Sequence, residues 1–276
     1  MNQLSTNRTL INVIGIPAIL YLLWQGGTAF ALFVLVVTMI GLDEFYRMNT
    51  SDRYTPVKVT GYIFAVLIAA YYFWLPVITL LQGITLLSCF IIITFFIEMS
   101  RDKVNPTRNM GITILGMIYV PVLLGSLIAL RNLDTTHGAY FTVSMIIAIW
   151  ICDSAAFVFG MKWGQRKIFP RVSPNKSWIG SIAGLISSFI FFYVLHLQGI
   201  LLGITLPDVV VFSIITGFFG QAGDFAESML KRDAGVKDSG KILLGHGGVL
   251  DRFDSIIFAS PLTYAYLTLV YYPRLI

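Results

Sequence analysis

Residues Gly223–Ser255 read GDFAESMLKRDAGVKDSGKILLGHGGVLDRFDS and lie between two strongly apolar runs. The stretch holds five Asp, one Glu, three Lys, two Arg and one His in a chain whose charged fraction is 12%. If the preceding apolar helix continues past Asp224, then Asp224, Glu227, Ser228 and Lys231 follow at i, i+3, i+4 and i+7, which is one helical face. After a glycine-punctuated middle come His246, Gly247 and Gly248, and then Asp251 and Asp254 at i, i+3 as the next apolar helix opens. Two carboxylate-bearing helix ends therefore flank one basic loop.

The surroundings decide the fold class. Hydrophobic residues make up 57% of the chain and the mean hydropathy is +0.80, beyond what a soluble globular protein shows. A crossing helix needs about 20 mainly apolar residues, and on that rule the sequence predicts an all-α, polytopic membrane protein with about nine spans. They run near Thr9–Trp24, Thr28–Phe45, Val57–Trp74, Val77–Ile97, Met110–Leu130, Tyr140–Phe159, Trp178–Gln198, Asp208–Gly223 and Phe253–Tyr272. The first run resembles a secretory signal, with Arg8 before it and Ala29-Phe30-Ala31 after it, but is read as a span. Pro17, Pro76 and Pro121 read as kinks or span ends. Cys89 and Cys152 lack metal-ligand or redox spacing and read as small buried apolar residues.

Basic residues orient the chain. Arg8, the Arg47–Lys58 and Arg101–Arg108 groups, the run from Lys162 to Lys176 and the run from Lys231 to Arg252 all fall on one side; Arg131 and Arg274 fall on the other. The positive-inside rule places the N-terminus and every charged loop in the cytoplasm. The net charge of +5 thus needs no nucleic-acid partner. Residues 1–135 read as a transmembrane scaffold. Residues 136–276 read as a catalytic region with cytoplasmic loops at 160–177 and 224–252. Asp43 and Glu44, at a span end, could join the site, and Glu98 with Arg101 reads as a local ion pair.

Asp153 stands inside the sixth apolar run, where a carboxylate costs about 2.5–3.5 kcal/mol on insertion scales. The small residues Ser154, Ala155, Ala156 and Gly160 allow a neighbouring helix to pack closely against it. The next loop carries Ser173, Pro174 and Lys176 and opens a helix for which Asn175 or Ser177 can serve as N-cap. A basic helix N-terminus suits phosphate. Acids at two helix ends beside a basic, glycine-rich loop suit a polyphosphate bound through a divalent cation, since Mg²⁺ takes one or two carboxylates and fills its shell with water and phosphate oxygens.

Two groups of residues carry a resemblance to the phosphatidate cytidylyltransferases, also called CDP-diacylglycerol synthases. One is Ser228 with Lys231-Arg232, Lys237-Asp238, His246-Gly247-Gly248 and Asp251-Arg252-Phe253-Asp254. The other is Asp153-Ser154 followed by Ser173, Pro174, Lys176, Trp178 and Gly180. The resemblance implies cytidylyl transfer from CTP to phosphatidic acid in a bacterial inner membrane, with Mg²⁺ as cofactor and a homodimer as assembly. The number of metal ions and the part of a monovalent cation stay open. It further implies Asp224 and Asp251 as metal ligands, with Asp254 and Asp153 as further candidates. Asp224, Asp251, Asp254, Lys231 and Arg252 are the catalytic candidates. Ser173, Lys176, Ser228, Arg232, Lys237, His246, Gly247 and Gly248 are the nucleotide and phosphate contacts. Competing readings are a CTP-dependent lipid kinase, a synthase acting on an isoprenoid or archaeal lipid phosphate, and an ion-coupled transporter.

Overall fold

The computed structural model describes residues 15, 17–75, 80–134, 137–242 and 247–275. Among the described residues there are helices and loops and no strand; an isolated bridge pairs Lys167 with Ser177. Eight helices follow in order: α1 Gly27–Met48, α2 Lys58–Phe73, α3 Leu80–Ser100, α4 Pro106–Asn132, α5 His137–Trp163, α6 Trp178–Leu197, α7 Leu206–Asp233 and α8 Leu250–Leu275. Seven of these, all but the 16-residue α2, are long and apolar enough to cross a membrane. The chain is an all-α, multi-pass membrane protein, as the apolar runs predict. Helices are the economical answer to that composition, because they satisfy every backbone polar group within the segment.

Residues 17–25 are helical as well and end at Gly26, whose φ is +64°. They belong to the first expected span, of which residues 9–14 and 16 lie outside the described residues, as do Arg8, Pro76 and the start of the fourth span. Pro121 does not end its span. It sits in a π turn, Ile118–Val122, and α4 continues beyond it. Proline removes one backbone donor, and the wider turn absorbs the ring without breaking the helix. Further π turns occur at Ile215–Phe219 in α7 and Leu267–Tyr271 in α8.

The chain divides into two compact units, one of residues 1–129 and 238–252, the other of residues 130–237 and 253–276. Residues 238–252 thus pack with the N-terminal helices. In the first unit the fully buried Tyr46 donates its hydroxyl to Thr113 O at 2.9 Å. Gly61 and Gly116 make room for its ring, which any Cβ there would strike. Phe64, Ile68, Phe90 and Met117 form a core beside it. The expected Glu98–Arg101 pair is present at 2.9 Å, and Asn109 extends it by donating to Glu98 Oε1 at 2.6 Å. Cys89 departs from expectation. It is exposed on α3, most of whose apolar side chains face outward, as suits a helix bordered by lipid.

In the second unit α5 and α6 touch backbone to backbone. A Cβ on Gly180 would stand 2.6 Å from Ala156 O and 3.1 Å from Gly160 Cα, so the small residues after Asp153 do admit a neighbouring helix. Gly223 does the same for α7 and α8, where a Cβ would lie 2.5 Å from Asp254 O. At the opposite end of these two helices, buried Asp208 caps α7 through Thr205 and accepts from Arg274 and Tyr266 at 2.6 and 2.5 Å.

Candidate active site

Helix α7 runs unbroken through Asp224 to Asp233, so Asp224, Glu227, Ser228 and Lys231 do share one face. Lys176 reaches this face from the loop between α5 and α6. That loop is folded back on itself: Ile168 N donates to Lys176 O at 3.2 Å and Trp178 N to Arg166 O at 3.1 Å. Of the two N-cap candidates, Ser177 takes the role, its Oγ accepting from Gly180 N at 3.3 Å. The loop and the cap together fix Lys176 at the start of α6. Its Nζ donates to Asp224 Oδ2 and lies 4.6 Å from the centre of the Phe225 ring.

Around that pair the second unit collects further charge. Ser228 Oγ donates to Asp224 Oδ1 at 3.4 Å. Asp153 interacts electrostatically with Asp224 and Lys176, and Asp254 with Asp224, Glu227 and Lys176. Lys231 meets Glu227 Oε2 at 2.9 Å, the Glu227 side chain being fully buried and Lys231 nearly so. Four carboxylates therefore share this region with two lysines, and a further cation would let them ionise together. Among the described residues no three His, Cys, Asp or Glu side chains form a ready metal cage. The donor set fits a hard cation that takes one or two carboxylates and leaves its other positions to water and phosphate oxygens.

The remaining predicted residues make the following contacts within their own units. In the first unit Asp251 Oδ2 accepts from Ser239 N, Ser239 Oγ and Gly248 N at 3.0, 3.1 and 2.7 Å. Glu44, 3% exposed, accepts from Ser239 Oγ, Val249 N and Leu250 N at 3.0, 3.0 and 2.9 Å. Together they clamp the loop against the end of α1 and cap the start of α8. Gly247 has φ +81°, and a Cβ on Gly240 or Gly248 would strike the Glu44 carboxylate. Arg232 is exposed and donates to Val236 O at 2.8 Å, while Lys237 and Arg252 are exposed at the same loop. Ser173 is half-buried in the folded loop, its N–H bonded to Phe169 O. His246 lies outside the described residues.

Sequence reasoning saw Glu44 as an end-of-span acid and missed Ser239 altogether. The partners of Glu44 are backbone N–H groups about 200 positions away, which leave no mark in residue type. Ser239, inside a run of loop residues, had no spacing to single it out.

Apolar crossing helices with a charged cluster where three of them meet a folded loop define a class: multi-pass membrane proteins with a polar site suited to phosphate and a divalent cation. A model of the cytidylyltransferase family matches residues 6–270, nearly the whole chain, and the chain belongs to that family. It is similar to the phosphatidate cytidylyltransferase of Staphylococcus haemolyticus (strain JCSC1435), with 34% identity over 260 residues, 92% of this chain and 96% of the relative. The enzymes of the same name from Staphylococcus aureus (strain COL) and Staphylococcus saprophyticus are 32% and 31% identical at the same coverage. The motifs that carry the resemblance all lie in the C-terminal half, and the family match extends it through the N-terminal helices.

Proposed function

We propose that the protein transfers a cytidylyl group from CTP to phosphatidic acid at the cytoplasmic face of a bacterial inner membrane, forming CDP-diacylglycerol and pyrophosphate. The observation that carries this reading is the Asp153, Asp224 and Asp254 cluster with Lys176, held on three helices and a folded loop in a chain of the cytidylyltransferase family. The lipid supplies its own nucleophile. A phosphate monoester is mostly ionised near neutral pH, its second pKa being about 6, so no general base is required. Its oxygen attacks the α-phosphorus of CTP, the bond from that phosphorus to the bridging oxygen of the β-phosphate breaks, and pyrophosphate leaves with the electron pair.

What the protein must supply is positioning and charge. Lys176 is placed to neutralise a phosphate while its contact with Asp224 holds it in line. Ser228 orients the Asp224 carboxylate from one turn further along α7. Asp153, Asp224 and Asp254 would hold Mg²⁺, which when bound screens the approaching phosphates from each other and stabilises the leaving pyrophosphate. Lys231 balances Glu227, so the face next to the cluster carries no further uncompensated acid.

The test is CDP-diacylglycerol and pyrophosphate formation by detergent-purified protein given phosphatidic acid, CTP and Mg²⁺. Product that disappears with chelator, together with Mn²⁺ binding by electron paramagnetic resonance that weakens in Asp224→Asn, is the expected result. Mn²⁺ bound normally by that variant would remove Asp224 from the metal site. Turnover of isoprenoid phosphates with none of phosphatidic acid would replace the substrate.

A further inference from the structure

A cavity of about 720 Å³ lies in the second unit between α6, α7 and the folded loop. Its volume falls within the about 300–1,000 Å³ usual for small-molecule sites. Phe169, Trp178, Ile182, Phe218, Phe225 and Met229 dominate its walls, and Phe169 meets Phe225 edge-on with ring centres 5.3 Å apart. Gln221, the most polar residue of the lining, spends its amide on Gly217 O at 2.5 Å and Ser181 O at 3.1 Å. Ser181 and Gln221 are the only polar side chains among the lining residues, and the walls suit hydrocarbon.

Its length and its mouth narrow the occupant further. From Gly217 to Met229 the lining follows α7 for more than three turns, about 18 Å at 1.5 Å per residue. The hydrocarbon of one leaflet is about 15 Å deep, half the bilayer core. Phe225 forms part of the wall, and Lys176 stands over its ring while bonding to Asp224. Lys176 does not line the groove but stands over one of its wall rings, so a cation borders this apolar space beside the charged cluster, the charge pattern of an anionic lipid.

We infer that this groove holds one acyl chain of the phosphatidate substrate, with the lipid phosphate at Lys176, and that its lining sets acyl-chain preference. The inference rests on the cytidylyltransferase reading above. Ala222 and Ala226 line the groove from α7 and are small, so enlarging them shortens the space without touching the charged cluster. In Ala226→Leu, kcat/KM for dioleoyl phosphatidate should fall about ten-fold relative to dioctanoyl phosphatidate, the scale on which a pocket senses one or two methylenes. Ile182→Ala, which widens the groove, should move the ratio the other way. An unchanged ratio in both variants overturns the proposal.

A crosslinking measurement on the unaltered protein stands apart from variant folding. Phosphatidate carrying a diazirine at the chain end should label the Leu185 and Phe218 region of the groove. Adducts confined to other helices, or suppressed in a covalently linked second copy of the chain, would give the groove another occupant and overturn the proposal. Absence of turnover by the unaltered protein with every phosphatidate would instead sink the reaction, while the label would still show whether a lipid chain occupies the groove.

Discussion

Two sets of carboxylates, one in each unit, show how the same residue type serves opposite ends. In the first unit Glu44 and one oxygen of Asp251 accept from backbone N–H groups and one serine hydroxyl, and the result is a fixed loop and a capped helix. In the second, Asp153 and Asp254 each feel the charges of Asp224 and Lys176, and the result is a field. Acids answered by uncharged donors make architecture. Acids crowded among acids leave a demand for cations, and phosphate chemistry can use that demand.

The sharpest way to break this contrast is to neutralise one acid of each kind. Asp224→Asn should lower CDP-diacylglycerol formation about 100- to 1,000-fold, the loss that follows removal of one preorganised electrostatic group, with its melting temperature in detergent little changed. Glu44→Ala should do the reverse. It strands two helix-start N–H groups, each worth about 1–3 kcal/mol when left unpaired, and a clear drop in melting temperature is expected, with Glu44→Gln intermediate. Equal stability losses in both variants would erase the distinction between site and clamp.

Lys176→Ala should reduce kcat/KM about 100-fold. Radiolabelled CTP incorporation at varied phosphatidate would show whether the loss lies in substrate capture or turnover. Gly247→Ala sharpens the clamp side. Its φ of +81° and the nearness of Asp251 Oδ2, 2.6 Å from where an alanine Cβ would stand, should cost about 1–2 kcal/mol by thermal denaturation. The smallest effect belongs to Ser228→Ala, which removes one 3.4 Å hydrogen bond to Asp224 and should slow turnover about 3- to 10-fold without moving stability.

The difference between the two regions also marks what the sequence makes legible. The apolar runs announce the helices because lipid leaves the backbone no other choice. The i, i+3, i+4, i+7 spacing of Asp224, Glu227, Ser228 and Lys231 announces their shared face, since helical geometry is local. The cap at Ser177 and the Glu98–Arg101 pair are local too. What resists reading is whatever depends on distant backbone. The clamp on residues 239–250 joins a side chain of α1 to loop amides, and amides are the same in every sequence. The approach of Asp254 to Asp224 hangs on Gly223, which looks like one of 24 glycines until α8 is laid against it.

The π turn at Ile215–Phe219 has a consequence for how this helix tolerates change over generations. Each residue turns an α-helix by about 100°, and the wider turn inserts its extra residue between the capped start of α7 and its acid face. It therefore sets the angular phase of everything downstream, Asp224 included. A wide turn uses one residue more than an ordinary turn for about the same rotation, so tightening it to α geometry with every residue kept would swing that face about a quarter-turn from Lys176, whereas deleting one residue there would restore an ordinary helix and keep the face in place. The segment can lose that one residue and keep its acid face, but while the residue is there the wide turn has to be kept too.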